Sequence, residues 1–281
     1  MPRPLAESVI ASALGLALAE ARRALERLST ERFVTLERIE GSLVAEARQG
    51  PLPRIVLEGL PDGERKALAR SLFRAVRDQD PDPRDPSLPI ALARLAGDPE
   101  PLAELLVASA ERAYRHLAFD RAAELLLEAL ETRVYEADRS RSMRTLAAQC
   151  LENAGELRAA SALFEDVAGT VEEPIERARL LSLAARDASS ALDLEAMRRT
   201  AKGALESLGE ALPTTRARFV LAIVGLLVGT LVAVPWRRIV NRRSPERASK
   251  HRIRHRVFYA LSTGLYLADD SLATLHATLG L

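Results

Sequence analysis

Between Leu106 and Val167 the apolar positions recur at helical spacing, and the run breaks and restarts twice in the same way. In the first stretch, Leu106, Ala110 and Ala113 lead to Phe119, then Ala122, Leu126 and Ala129. In the second, Ala148 and Leu151 lead to Gly155 and Leu157, then Ala160, Phe164 and Val167. A third copy runs through Leu181, Ala185 and Ala188, then Leu194, Met197, Ala201 and Ala204. A 3.6-residue period with small residues at fixed places predicts antiparallel helical hairpins, the alanines sitting where two helices approach closely. Such a hairpin has too little apolar surface to fold alone, so the copies must stack.

Ala122, Ala160 and Met197 are 38 and 37 residues apart. Tetratricopeptide (TPR) hairpins repeat at roughly 34 residues, so this region resembles a TPR solenoid with lengthened turns between repeats. The expected fold is therefore all-α, a TPR-like solenoid of antiparallel helical hairpins.

Upstream the pattern is less regular. Residues 4–28 predict one or two short helices broken near Gly15, with Leu14, Leu18, Ala21, Leu25 and Leu28 as the stripe. Residues 31–40 predict a further helix ended by Gly41. The runs 43–48 and 54–58 flank Gly50, Pro51 and Pro53 and predict a β-hairpin, which with the helices outlines a small winged-helix-like unit. A helix is expected from Asp62, as N-cap, to about Val76, then a Pro- and Asp-rich loop at 78–87 and a helix over 88–96. Asp98 is the expected cap of the next helix, with Pro99 in its first turn. The organisation so predicted is a winged-helix-like unit at 1–60, TPR-like repeats at 61–212, and at 213–281 an apolar helix, a basic tract and a further hairpin. The chain reaches Leu281 on an apolar helix with no polar capping helix, which suits a piece of a longer array.

Composition agrees with helix: Ala, Leu, Arg and Glu dominate, and aromatics are only 4%. Lysines are confined to positions 66, 202 and 250, as a GC-rich bacterial coding bias would give. With 48% apolar and 28% charged residues the chain is neither disordered nor fibrous, and a net charge of +1 gives no global field to draw it to nucleic acid. The single cysteine, Cys150, excludes an intramolecular disulfide and any Cys-based metal site, and its place on a predicted hairpin helix makes it a small buried hydrophobe.

Chemistry is sparse. Glu172 with Glu173 and Asp269 with Asp270 are paired carboxylates, but no His or nucleophile accompanies them at a catalytic spacing. His251 and His255 share a helix face, yet their neighbours are cationic and no third ligand is evident, while His116 and His276 stand alone. No catalysis, cofactor or metal is expected. The apolar run 219–236 is at the threshold for spanning a bilayer, and burial inside the array is the favoured reading over a transmembrane or peripheral anchor. It is followed by Arg237, Arg238, Arg242, Arg243, Arg247, Lys250, Arg252, Arg254 and Arg256, a tract suited to an anionic membrane surface. On the repeats, Glu104, Glu111, Arg115, Arg144 and Gln149 are polar positions on first helices and are candidate groove contacts.

Four segments, 59–73 (GLPDGERKALARSLF), 95–100 (LAGDPE), 118–130 (AFDRAAELLLEAL) and 147–167, together with 254–281, resemble the region behind the ATPase of large bacterial signalling proteins. These join a serine/threonine kinase or nucleotide cyclase to a STAND-type, AAA-like ATPase and then to TPR repeats. The resemblance implies a cytoplasmic, non-catalytic regulatory scaffold, a protein or peptide in the groove, and an ATPase or kinase as partner. The sequence itself holds no Gly-x-x-x-x-Gly-Lys-Ser/Thr loop and no kinase His-Arg-Asp or Asp-Phe-Gly element. Two rival functions are a membrane-anchored helical sensor, its anchor at about 219–236, and a winged-helix DNA-binding regulator.

Overall fold

A computed structural model describes residues 4–39, 41–48, 52–81, 83, 85–211 and 245–267, with positions 220, 221, 224 and 228 in addition. The described chain is mainly helical with one small antiparallel sheet. It divides into two compact units, one of residues 1–109 with 131–134, the other of residues 110–130 with 135–281.

The first unit opens with β1 (Leu5–Ala6), α1 (Glu7–Leu14), α2 (Leu18–Thr30), β2 (Val34–Ile39) and β3 (Ser42–Ala47). The sheet order is β1-β3-β2, with Leu5 opposite Ala45 and Val34 opposite Ala47, so β3 is the central strand. A two-helix element closed by a strand hairpin is a winged-helix-like arrangement. Gly15 breaks the helices as its sequence predicts: it sits at φ 66° with its N–H on the Ser12 carbonyl. The Glu7 carboxylate, on α1, accepts from Arg22 of α2, including an Nε contact of 2.8 Å, and so ties the pair together.

The hairpin, however, lies one element earlier than expected. Residues 34–39 form β2 rather than a helix, because Val34 and Leu36 turn inward while Thr35 and Glu37 face out, a period of two. Residues 52–59 form a helix, α3 (Leu52–Gly59), rather than the second strand. Pro53 stands in its first turn, where a missing N–H costs nothing. Helix α4 (Asp62–Gln79) packs on α1 and on α5 (Ser87–Ala96), with Phe73, Leu92 and Ala93 at the centre of that seam.

One expected cap is also corrected. Asp62 is the first residue of α4 rather than its cap, and its carboxylate holds Arg65 at 2.6 Å and Lys66 at 2.7 Å. Asp98 does stand directly before the next helix, which starts at Pro99, with its carbonyl accepting from the Leu102 N–H, while its carboxylate receives the Nε of Arg70 at 2.9 Å, a tie to α4.

After α6 (Pro99–Arg115) and α7 (Phe119–Glu131) the helices pair as α8 (Ala137–Ala154) with α9 (Leu157–Gly169), and α10 (Pro174–Ser190) with α11 (Leu194–Ser207). Helix α12 (Pro245–Leu267) follows. In the second unit α10 packs against α9, α11 and α12, and α12 lies against both helices of the preceding hairpin. That is the stacking a solenoid requires. Leu106, Ala110, Ala122, Leu126, Ala129, Ala148, Ala160, Phe164, Val167, Ala185, Ala188, Met197, Ala201 and Ala204 are buried. Ala113, Phe119, Leu151, Leu157, Leu181 and Leu194 are half-buried at the edges of the seams, and Gly155 is an exposed turn residue. Most of the run 219–236 lies outside the described residues, where Val220, Leu221, Val224 and Val228 are helical and exposed. Among the described residues no helix is long and apolar enough to cross a membrane.

Candidate functional site

The most unusual chemistry of the second unit sits on α10, where it meets α8, the first helix of the hairpin before it, and α12. Helix α10 is set by a cap: the Glu173 carboxylate accepts from the Ile175 N–H at 3.0 Å and the Glu176 N–H at 2.5 Å, ahead of Pro174 at its start. Its buried stripe runs through Ala178, Leu180, Ala184, Ala185 and Ala188, and two polar side chains fall within it, Ser182 and Asp187.

Asp187 is only 2% exposed. Its Oδ1 accepts from the Arg186 Nε at 2.9 Å, and Oδ2 is buried without a hydrogen-bond donor. Burial pushes the carboxyl up to about 6, with Arg186 and Arg256 pulling it down and Glu152 adding to the rise. Arg186 also reaches across to α8, its Nη2 lying 2.5 Å from Glu152 Oε2. Burial works against the Arg186 charge, but Asp187 and Glu152 outweigh it and leave its pKa above the ordinary value.

About two turns away, Arg179 makes two bonds to Glu176, from Nε at 2.7 Å and Nη2 at 2.5 Å, which hold the Glu176 carboxyl below its usual range. Ser182 donates to the Arg179 carbonyl at 2.7 Å and accepts from Arg256 Nη1, of α12, at 3.2 Å. Nearby, Ser189 donates to the Ala260 carbonyl at 3.0 Å, a second polar tie between α10 and α12. The result is a mixed-charge network that runs from α8 through α10 to α12. It has the donors of an anion or peptide-binding surface and no nucleophile paired with a base.

The residues predicted from sequence distribute unevenly around it. Glu111, Arg115 and Gln149 are exposed on α6 and α8, and Arg144 is half-buried on α8 with Nη1 4.0 Å from Asp166 Oδ2. Glu104 is exposed on α6, with Arg77 Nη2 3.6 Å away. Of the basic tract, Arg237, Arg238, Arg242 and Arg243 lie outside the described residues, and Arg247 falls within α12. Lys250 and Arg252 are exposed, and so are His251 and His255. Arg254 and Arg256 instead turn inward, the first with Nε 3.5 Å from Glu210 and its guanidinium 5.4 Å from the Phe258 ring centre. Cys150 is fully buried, and burial pushes its thiol up, away from reactivity.

Sequence reasoning missed the pair Arg186–Asp187 and its partners Glu152 and Arg179. The available signal was Asp187 itself, an acid set between Ala185 and Ala188 on the apolar stripe. Buried charges are retained only where partners exist, so an acid on that stripe marks a network.

No family model, no curated protein and no solved structure matches this chain.

Proposed function

We propose that this chain is a non-catalytic protein-interaction scaffold, a regulatory part of a bacterial signal-transduction ATPase or kinase system, whose first-helix face takes up a segment of a partner protein. The observation that carries the reading is the mixed-charge network across α8, α10 and α12, on helices whose opposite faces are spent on packing. Stacked hairpins hold such a face rigid, which lowers the ordering cost of binding. The resemblance to the repeats behind STAND-type ATPases supplies the system, and the winged-helix-like unit suits a relay between engine and repeats. Exposed positions of α2 carry both signs, Glu20, Arg23, Glu26 and Arg27, which favours a protein contact over a phosphate backbone.

Selection of a displayed random-peptide library on the full chain tests this. Enriched peptides are expected, and their affinity is expected to fall at least about fivefold with Gln149→Arg on a first helix and to hold with Arg158→Glu on a second helix. Failure to enrich any peptide, or equal sensitivity to both substitutions, would overturn the reading.

A second reading, peripheral membrane attachment, is favoured by the exposed Val220, Leu221, Val224 and Val228 ahead of the basic tract. It predicts that the full chain floats with vesicles containing 30% phosphatidylserine and stays behind with phosphatidylcholine alone; equal behaviour with both would exclude it.

A further inference from the structure

Three guanidinium groups meet at the contact of α10 with α12, and their neutralisation is unequal. Arg179 is matched by Glu176, and Arg186 by Glu152 and Asp187. Arg256 is matched by a hydroxyl. Its Nη1 donates to Ser182 Oγ at 3.2 Å, and among the described residues no carboxylate lies within ion-pair distance of it. The Ser182 hydroxyl gives its own proton to the Arg179 carbonyl, so it offers a lone pair and no charge. Arg256 is half-buried, so water solvates it incompletely.

We propose that Arg256, flanked by Arg179 and Arg186, seats the carboxylate of an Asp or Glu side chain from the partner segment. This rests on the interaction reading above and gives the partner its chemistry: an acidic peptide. The guanidinium fork presents five N–H donors and spends one on Ser182, which leaves donors for a bidentate carboxylate.

Charge balance selects the ligand. The groups facing Arg256 are Arg179, Arg186, Asp187 and Ser182 of α10 and Glu152 of α8. With Glu176 the cluster holds three carboxylates against three guanidinium groups and is neutral as a whole. All three carboxylates are engaged by Arg179 and Arg186, however, which leaves Arg256 as the guanidinium with no counter-ion of its own among the described residues. A carboxylate supplies that counter-ion with a single negative charge. A phosphate dianion overshoots and meets the carboxylates of Glu152, Glu176 and Asp187 nearby. The Arg256 charge is disfavoured as it stands, first by burial and then by repulsion from Arg186 and Arg179, with Glu152 and Asp187 offsetting this only in part. An arriving carboxylate relieves that.

The test is fluorescence anisotropy of the full chain with labelled hexaglutamate, blocked at its C-terminus as the amide, and with hexaglutamine as the neutral control. Wild type is expected to bind hexaglutamate at least tenfold more tightly than hexaglutamine. Arg256→Gln is expected to remove that preference and Arg256→Lys to keep part of it. Arg252→Gln, exposed on the same helix, is expected to leave it unchanged. Circular dichroism checks each variant. Should Arg256→Gln unfold, amide hydrogen exchange of the wild type decides: the probe must protect residues 179–187 and 252–260. Equal binding of both peptides, equal loss with Arg252→Gln, absent protection, or displacement of the probe by inorganic phosphate at lower concentration than by acetate would each overturn the proposal. Enrichment of library peptides without acidic residues leaves the interaction reading standing and rejects this one, whereas no enrichment rejects both.

Discussion

Gly155 and Leu192 occupy the same place in successive hairpins: each is the left-handed residue that ends a first helix, at φ 85° and 59°. The bonding around them shares one pattern. The N–H of each reaches back three residues, to Glu152 and Ser189, and the next N–H reaches back five, to Leu151 and Ala188. Leu117, at φ 60°, repeats the pattern with Tyr114 and Ala113. Five residues after each comes the first buried residue of the second helix: Ala122, Ala160 and Met197. The 38- and 37-residue spacing in the sequence is therefore a spacing of turns as much as of alanines.

Only one of the three turns has the residue its geometry prefers. A left-handed conformation costs a Cβ-bearing residue roughly 1 kcal/mol, and glycine escapes it. Leu117 and Leu192 are 72% and 63% exposed, so little packing is lost on truncation. Leu117→Gly and Leu192→Gly are each expected to stabilise the chain by about 0.5–1 kcal/mol. Gly155→Leu should destabilise it by a similar amount. Urea unfolding of the full chain reads all three, and a loss of stability in both Leu→Gly variants would refute the equivalence of the turns.

This symmetry explains what could be read from the sequence. Small and large apolar residues at helical spacing mark the seams, because close packing leaves no other solution at Ala122, Ala160 or Ala185. The turns of the first and third hairpins were not legible as such, since leucine does not announce positive φ. The β-hairpin was misplaced for a related reason: residues 34–39 carry three charged or polar side chains among six, and only the partner strand at 42–47 decides the period. The charged network was illegible because it joins residues 152, 179, 186 and 256, and charges so far apart in sequence leave no local pattern.

Asp187 gives stability a pH dependence of unusual sign. Its folded-state pKa of about 6 lies above the ordinary 3.8, so between these values the folded chain holds a proton that the unfolded chain has released. Stability is then highest below about pH 4 as far as this group is concerned, and falls as pH rises through 6, by up to about 3 kcal/mol. Glu176 acts in the opposite sense, since its pKa is lowered, but its contribution is lost only as pH drops below the ordinary value of 4.5. Asp187→Asn is expected to flatten the urea midpoint between pH 5 and 7.5, raising it at the upper end and leaving the lower end unchanged. A wild-type midpoint that climbs with pH across this interval, with no difference in the variant, would contradict the sign.

The bidentate pair of Arg199 on α11 with Glu165 on α9, at 2.7 and 2.8 Å, joins second helices of adjacent hairpins. The Glu165 bonds hold the Arg199 pKa well above its usual range. Its side chain is nevertheless 56% exposed, so solvent screens the attraction. Arg199→Ala is expected to cost no more than about 1 kcal/mol. A double-mutant cycle with Glu165→Ala measures the coupling, and a value above about 2 kcal/mol would show that the pair, rather than the apolar seam beneath it, fixes the stacking.

Gly264 shows how closely α12 approaches the hairpin before it. A methyl group built there would stand 2.3 Å from the Sδ and 3.0 Å from the Cε of Met197, which is fully buried. In an exposed helix interior Gly→Ala stabilises by roughly 1 kcal/mol, because alanine has the higher propensity. Here overpacking works the other way: Met197 cannot swing into solvent and must repack among Ala201, Val257 and Leu261. Gly264→Ala is expected to destabilise by about 1–3 kcal/mol, and Met197→Ala, which opens a cavity, by about 2–5 kcal/mol. Because the same space is overfilled in one variant and emptied in the other, the double variant should be more stable than the sum of the two losses predicts. Strict additivity in urea unfolding would mean that α12 does not pack its glycine against Met197.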